Sequence, residues 1–200
     1  MDILFYDENI LVCIKPVGLD SEQELPQTLA ERLNGEIYPV HRLDKNVGGV
    51  MVYARKKTAA AELSRLVQSG ELIKEYVARV HGTPPESGVL EDLLFKDSRK
   101  NKVYVVNRKR AGVKAAKLSY KRLTAGEESV VLVRLYTGRS HQIRVQFSSR
   151  GFPLVGDHKY GSRCERTEPM LFSCRLTFPY RDEPRTFAAR PEWLCEGIDI

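Results

Sequence analysis

Long apolar runs are missing from this sequence, as are the glycine motifs that bind nucleotide phosphates. No segment approaches the roughly 20 apolar residues that span a bilayer, and Asp2, Asp7 and Glu8 interrupt the N-terminus. Val47-Gly48-Gly49 is not followed by Lys and then Ser or Thr, so the sequence indicates no nucleoside triphosphate site. We therefore expect a soluble, cytoplasmic protein that needs neither a membrane nor a nucleotide cofactor.

Paired cysteines are also missing, because the four cysteines form no CxxC motif. Cys13, Cys174 and Cys195 lie in apolar contexts, which is typical of reduced thiols in a cytosolic protein. The spacing of His158, Cys164 and Cys174 matches no common zinc-ligand pattern. The sequence therefore predicts no metal site.

The charge of the chain is unevenly distributed. The 32 Lys and Arg residues exceed the 26 Asp and Glu residues, and the sequence pI is about 9.1. Between Lys96 and Arg122 there are eleven basic residues and one acid, Asp97. Such a stretch is either a solvated face or a surface that contacts phosphates, and the composition does not distinguish the two. With 200 residues and a hydrophobic content of 42%, the chain fits a single domain over residues 1–200.

The pattern of apolar residues predicts an α+β fold with a mixed, mostly antiparallel central sheet flanked by helices. The segment His141–Phe147 fits either a strand or a short helix. The remaining predicted strands are Ile10–Lys15, Gly49–Arg55, Glu75–His81, Lys117–Leu123, Val130–Leu135, Leu171–Phe178 and Arg185–Ala189; the predicted helices are Thr28–Leu33 and a segment that Thr58 caps and that ends at Ser69-Gly70.

Asp44 is the leading candidate for chemistry. It stands in His41-Arg42-Leu43-Asp44-Lys45, directly before a predicted buried strand, where a carboxylate is rare unless another group pairs with it or uses it. A nucleophilic carboxylate must be ionised, and the guanidinium of Arg139 could supply the charge that keeps it so. The alternative is a structural Asp–Arg ion pair that joins two strands, and the residues alone slightly favour that alternative.

Two further residue sets allow weaker hypotheses. Tyr76 lies on a predicted strand and could stack on a base or move a proton, although a core tyrosine with a satisfied hydroxyl is the commoner case. Ser140 with His41 or His141 suggests a hydrolase, but no nucleophile-elbow glycines surround Ser140. Hydrolase chemistry is therefore the least favoured of these interpretations.

Taken together, four ordered blocks resemble the RluA-type pseudouridine synthases. The blocks are His41–Lys45, Lys74–Ala78, Leu135–Val145 and Val155–Gly161, and the similarity runs from about Ile10 to Pro191. The resemblance implies the pseudouridine synthase fold with a catalytic cleft, and the isomerisation of specific uridines in rRNA or tRNA. It also implies a compact, single-domain protein that lacks the N-terminal RNA-binding domain of many relatives, and a monomer is the family default.

The resemblance assigns a role to each matching residue. Asp44 is the catalytic carboxylate, Tyr76 accepts the proton of uracil carbon 5, and Arg139 holds the carboxylate ionised; the three are expected to converge in one enclosed site. The reaction involves no net redox change and no phosphate transfer, so no metal, flavin or other cofactor is implied.

The remaining expectations concern RNA. Arg42 is expected to fill the space of the extruded base, Ile143 to form a wall of the uracil pocket, and Lys114 and Lys117 to contact phosphates. Val47-Gly48 replaces the Thr-Ser pair usual in the family, and Gln146 stands where a histidine is common. The loss of the two hydroxyls leaves room for a non-catalytic RNA-binding or assembly factor that keeps the fold.

Overall fold

Strands dominate residues 2–200, which are the residues that the computed structural model describes. The eleven strands are β1 (Ile3–Tyr6), β2 (Ile10–Lys15), β3 (Tyr38–Pro39), β4 (Gly48–Ala54), β5 (Ile73–His81), β6 (Ser87–Asp97), β7 (Lys102–Val106), β8 (Val113–Arg122), β9 (Glu128–Leu135), β10 (Leu171–Tyr180) and β11 (Glu183–Ala188). The helices are α1 (Glu24–Leu33), α2 (Lys57–Ser69) and α3 (Gln142–Ser148), with a short 3₁₀ helix at His158–Tyr160. No helix in these residues is both long and apolar enough to cross a membrane.

The chain divides into two compact units, and the first contains residues 2–74 and 172–195. Its strands follow the order β1-β2-β4-β10, with β11 paired to β10 and β3 paired to β4. All seven residues of β4 are buried, and α2 packs Leu63 and Leu66 into the same apolar cluster. Asp44 therefore lies just before the N-terminal end of a fully buried strand.

One position in the first unit admits no side chain at all. Gly49 has φ +130°, and a Cβ at this position would overlap the Ser173 carbonyl oxygen of β10. Strand β10 runs parallel to β4 at this point, with Ser173 opposite Gly49. Glycine is required here because only its backbone can approach a neighbouring strand so closely in this conformation.

The second unit contains residues 75–171 and 196–200, with strands in the order β5-β9-β8-β6-β7. The hairpins β6/β7 and β8/β9, and the pair β6/β8, are antiparallel. Helix α3 covers this sheet, and its Phe147 ring packs edge-on against Tyr120 of β8 at a centroid distance of 5.1 Å. Strand β7 ends the order and is flanked by basic loops that contain Arg99-Lys100 and Arg108–Arg110.

The predicted α+β class and the mixed, mostly antiparallel sheet are confirmed, since β4/β10 is a parallel pair whereas β2/β4, β6/β8 and β8/β9 are antiparallel. The ambiguous segment His141–Phe147 forms helix α3, with His141 as its N-cap. The sequence left strand and helix undecided because all of Gln142–Phe147 is buried, so no exposed face shows a helical period. The cap prediction at Thr58 is wrong, because α2 begins at Lys57 and has no side-chain cap. The predicted single domain over residues 1–200 stays a prediction.

Candidate functional site

Asp44 sits in a hydrogen-bonded turn of the first unit, just before β4. It is half-buried, and its carbonyl accepts the Val47 N–H at 2.9 Å. On the upstream side, the Ser21 hydroxyl donates to the Leu43 carbonyl at 2.9 Å and accepts the Leu43 N–H at 3.1 Å. These bonds fix the backbone on either side of the carboxylate, which is what a reacting group requires.

A buried ammonium closes the turn on its downstream side. The side chain of Lys15 is fully buried at the end of β2, and its Nζ donates to the Lys45 carbonyl at 3.1 Å. The same carbonyl accepts the Gly18 N–H at 2.9 Å. The sequence interpretation assigned no role to Lys15 or Ser21. The position of Lys15 at the end of an apolar strand was the one local signal that its ammonium would need buried partners.

The Thr-Ser pair of the family is therefore not needed to close this turn. Val47 and Gly48 are both buried, and the bonds from Val47, Gly18 and Lys15 are made to backbone carbonyls. The loss of two hydroxyls leaves the backbone of the turn hydrogen-bonded.

His41 and Arg42, which precede the turn, differ in their surroundings. The His41 Nε2 accepts the backbone N–H of Val52 at 3.1 Å, and its Nδ1 has no hydrogen-bond partner among the described residues. Burial, with a smaller contribution from Lys74, lowers the pKa of His41 to about 3. The ring is thus neutral and too weakly basic to serve the hydrolase hypothesis. Arg42 is exposed and forms an ion pair with Glu22 at 2.6 Å.

Tyr76 lies on β5 in the second unit. Its side chain is 5% exposed, and the neighbouring Val77 and Ala78 are fully buried, so both faces of β5 are covered at this point. The predicted strand Glu75–His81 corresponds to β5, but it is not limited to a single buried face. A buried phenol is an apolar wall with one polar atom, which suits contact with a planar base.

Arg139 lies in the loop that leads into α3. It is exposed, its Nε donates to the Ala115 carbonyl at 2.9 Å, and its backbone N–H donates to the Gln142 Oε1 at 3.0 Å. Ile143, in the first turn of α3, is 3% exposed. The structure thus gives the loop a fixed backbone and keeps the Arg139 side chain at the surface of its unit.

A second guanidinium of the same block is buried. The side chain of Arg144 is 9% exposed, and it donates to both oxygens of Asp157, from Nε at 2.6 Å and from another nitrogen at 2.9 Å. Asp157 is 1% exposed. The sequence interpretation missed this pair, although Arg144 stands between Ile143 and Val145, where a charge needs a partner.

Tyr160 connects three parts of the second unit. Its hydroxyl accepts the Val103 N–H of β7 at 2.8 Å and lies 2.9 Å from the His141 Nδ1. The Arg144 guanidinium lies over its ring at 5.2 Å. His141 adopts a left-handed conformation with φ 50° at the start of α3, which is uncommon outside glycine. This network orients α3 relative to the basic β6/β7 hairpin.

The two lysines predicted to contact RNA lie on β8. Lys114 is exposed. Lys117 is exposed and pairs with Glu91 at 2.7 Å, and this hydrogen bond raises the pKa of Lys117. Its ammonium also lies 5.8 Å from the centre of the half-exposed Tyr136 ring. A cation beside an exposed aromatic ring suits contact with both a phosphate and a base.

Residues 2–200 contain no group of three or more His, Cys, Asp or Glu side chains arranged to hold a metal ion. All four cysteines are free thiols; Cys13 and Cys174 are buried, as their apolar contexts predicted. Cys195 is also a free thiol, but it is exposed because it lies in the irregular C-terminal segment beyond the last strand.

Comparison with known proteins gives one consistent answer. Residues 9–149 match the family model described as RNA pseudouridylate synthase. The chain is 35% identical to the dual-specificity RNA pseudouridine synthase RluA of Escherichia coli, over 80% of this chain and 77% of that protein. It is 32% identical to the tRNA pseudouridine(31) synthase of Saccharomyces cerevisiae over 80% of this chain, but the match spans only 46% of the yeast protein.

The fold comparison agrees. The solved structure titled human RNA pseudouridylate synthase domain containing 4 superposes with a TM-score of 0.82 and 26% identity, covering 96% of this chain and 89% of the other.

Proposed function

Since this chain belongs to the RNA pseudouridylate synthase family, we propose that it converts uridine to pseudouridine in a transfer or ribosomal RNA through the carboxylate of Asp44. The uridine-isomerising activity follows from family membership. The names of the relatives are those of synthases, which supports an enzyme over a non-catalytic assembly factor. The RNA class rests on the same names, one of which is specific for tRNA and one of which is dual-specificity.

The observation that carries the proposal is the clamped turn around Asp44. During the reaction the bond between the sugar and uracil N1 breaks, the base turns over, and carbon 5 bonds to the sugar. A carboxylate that attacks the sugar or the ring, or that removes a sugar proton, must keep its position throughout. The bonds to Leu43 and Lys45 hold it on both sides.

Tyr76 and a guanidinium complete the proposed chemistry. Tyr76 accepts the proton that carbon 5 releases, directly or through water, and its burial supports the role of a pocket wall. Arg139 is the guanidinium predicted from the sequence, and Arg144 is the candidate that the structure adds. Burial and a fixed orientation by Asp157 favour Arg144, because a guanidinium acts most strongly on a carboxylate away from water.

RNA contacts are proposed for four further residues. Arg42 fills the space of the extruded base, Ile143 borders the uracil, and Lys114 and Lys117 bind phosphates. The exposure of Arg42 and the two lysines supports these roles. Affinity for RNA is then expected to fall steeply as salt rises. We further propose that the protein is cytoplasmic and monomeric, which cell fractionation and light scattering test.

Tritium release from RNA labelled at carbon 5 of uracil tests the activity. Pools of tRNA and rRNA, each transcribed without modification, separate the two substrate classes. The native chain releases tritium from at least one pool, and Asp44→Asn releases none. Asp182→Asn is the matched control, since it removes an exposed carboxylate at the β10–β11 turn of the same unit. Full activity of Asp44→Asn would eliminate the assigned role of Asp44.

The supporting residues are tested in the same assay. Tyr76→Phe is expected to retain RNA binding but to lose turnover. Comparing Arg139→Gln with Arg144→Gln identifies the guanidinium that the reaction uses, since only the variant of that residue loses turnover while remaining folded. Native activity of both variants would eliminate the guanidinium role.

A further inference from the structure

The burial of Lys15 is unusual enough to require an explanation. Its side chain has no solvent exposure, although lysine is among the residues least often buried completely. A buried ammonium must have its N–H groups satisfied, and this one donates to three backbone carbonyls, those of Pro16 at 2.8 Å, Leu19 at 2.8 Å and Lys45 at 3.1 Å. The three bonds use all three N–H groups of the ammonium.

These contacts join two loops of the first unit. Pro16 and Leu19 belong to the turn after β2, and Lys45 directly follows Asp44 in the turn before β4. The Asp44 turn is thus held at one end by Ser21 and at the other by Lys15.

The contrast between the two ends shows what the charge adds. Ser21 holds the Leu43 end with an uncharged hydroxyl, at 1% exposure. A neutral side chain is therefore sufficient to fix a peptide group of this turn. The ammonium at the other end carries a full charge that the hydrogen bonds alone do not require.

The charge of Lys15 responds to the acids around it. Burial lowers the pKa of Lys15 to about 8, while attraction to Asp20, Asp44 and Glu24 raises it and repulsion from Lys45 lowers it further. The ammonium is therefore mostly protonated at pH 7 and loses its proton as pH rises through about 8. Asp44 is one of the carboxylates whose attraction raises the pKa of Lys15.

We propose that Lys15 is a positioning residue for Asp44: its buried ammonium fixes the turn through the Lys45 carbonyl and, while protonated, places a positive charge within electrostatic range of the carboxylate. This inference rests on the proposed role of Asp44. It adds that the charge, and not only the hydrogen bonds, of Lys15 supports the reaction.

A set of variants separates the charge from the hydrogen bonds. Lys15→Gln keeps a donor and loses the charge, Lys15→Met loses both, and Lys15→Arg keeps both. Leu63→Ala in α2 is the matched control, because it destabilises the core of the same unit without touching the turn. Each protein is assayed by single-turnover tritium release across a pH series, together with RNA affinity and thermal unfolding.

The expected result is a loss of rate without a loss of binding. The single-turnover rate falls about 10- to 100-fold in both Lys15→Gln and Lys15→Met, while RNA affinity stays within about threefold. Folded Leu63→Ala and Lys15→Arg retain the rate within about fivefold. High salt does not abolish the difference between the native chain and Lys15→Gln, because a buried charge is poorly screened.

The pH dependence of the rate separates the two roles, because a lysine with a purely structural role would not change it. The rate of the native chain declines as pH rises through about 8, and Lys15→Arg lacks this decline because a guanidinium stays charged. Uracil itself loses a proton in alkaline solution, so the comparison between variants, rather than the absolute profile, carries the conclusion.

Native activity in Lys15→Gln, or an unchanged alkaline decline in Lys15→Arg, overturns the inference. If these variants do not fold, the native chain decides: the ammonium of Lys15, followed by NMR, must titrate with the same midpoint as the rate. Titration without a change in rate overturns the inference as well. Loss of activity in Asp44→Asn together with native activity in Lys15→Gln removes this inference alone, whereas activity in Asp44→Asn removes the proposed function.

Discussion

Replacing Asp157 with asparagine perturbs the best-defined ion pair of the second unit. Asp157 accepts two bonds from Arg144 at 2.6 and 2.9 Å, and both side chains are shielded from water. Removing one partner of a buried pair costs about 3–5 kcal/mol, because the remaining charge stays buried without compensation. Asparagine keeps one acceptor oxygen, so we expect the free energy of unfolding to fall by about 3 kcal/mol, at the lower end of this range.

Urea unfolding followed by circular dichroism measures this loss. A double-mutant cycle with Arg144→Met isolates the pair, and we expect a coupling energy of at least about 2 kcal/mol. Glu165→Gln serves as the control, since it neutralises an exposed acid of the same unit and should change stability by less than about 0.5 kcal/mol. Hydrogen exchange at the amides of α3 shows whether the destabilisation reaches this helix.

A loss below about 1 kcal/mol in Asp157→Asn, or a coupling energy near zero, would contradict a strong contribution of this ion pair to stability. Either result would mean that Arg144 is held by its other contacts and that the bidentate bond contributes little. The orientation of Arg144 by Asp157, on which its proposed role partly depends, would then lose its support.

Three further predictions concern the first unit and the cysteines. The pKa of His41 is lowered from 6.5 to about 3. The contribution of the neutral ring to the free energy of unfolding is therefore complete above pH 6.5 and is lost as pH falls toward 3. The unfolding free energy of His41→Phe should depend less on pH over this range. Gly49→Ala should destabilise by about 3 kcal/mol or more in a thermal unfolding assay, since its Cβ would overlap the Ser173 backbone. Burial raises the pKa of Cys13 to about 12, so a thiol reagent should modify exposed Cys195 at once and Cys13 only on unfolding; rapid labelling of Cys13 in the Cys195→Ser variant would contradict this.

The fold was predictable where burial leaves a local pattern. Strands β2 and β4 carry continuous apolar residues, and the β8/β9 hairpin is marked by its polar tip. Strands β6 and β7 were not predicted, because their few buried side chains, such as Leu94 and Val103, are separated by charged residues. The two strands form a local hairpin, from Asp97 opposite Lys102 to Leu93 opposite Val106, so the sequence signal is missing because few of their side chains are buried and not because the pairing partner is distant.

The candidate site was predictable to the same extent. Asp44 and Tyr76 stand in motifs that a reader of the sequence can recognise, whereas Lys15 gains its role from a carbonyl thirty residues away in the chain. Arg144 and Asp157 are thirteen residues apart, and only the turn between them brings the two together. Lys15 and Asp157 act through contacts with groups that are distant in the sequence, and only the three-dimensional structure shows those contacts.

Strand β7 has consequences for the colloidal behaviour of the protein. It ends the strand order of the second unit, and an unpaired edge is a template on which another copy can anneal. The cationic loops at both of its ends repel a second copy bearing the same charges. Counterions screen this repulsion and so make pairing of β7 with a second copy easier. We therefore expect self-association to increase with ionic strength, whereas an assembly held together by ion pairs would weaken.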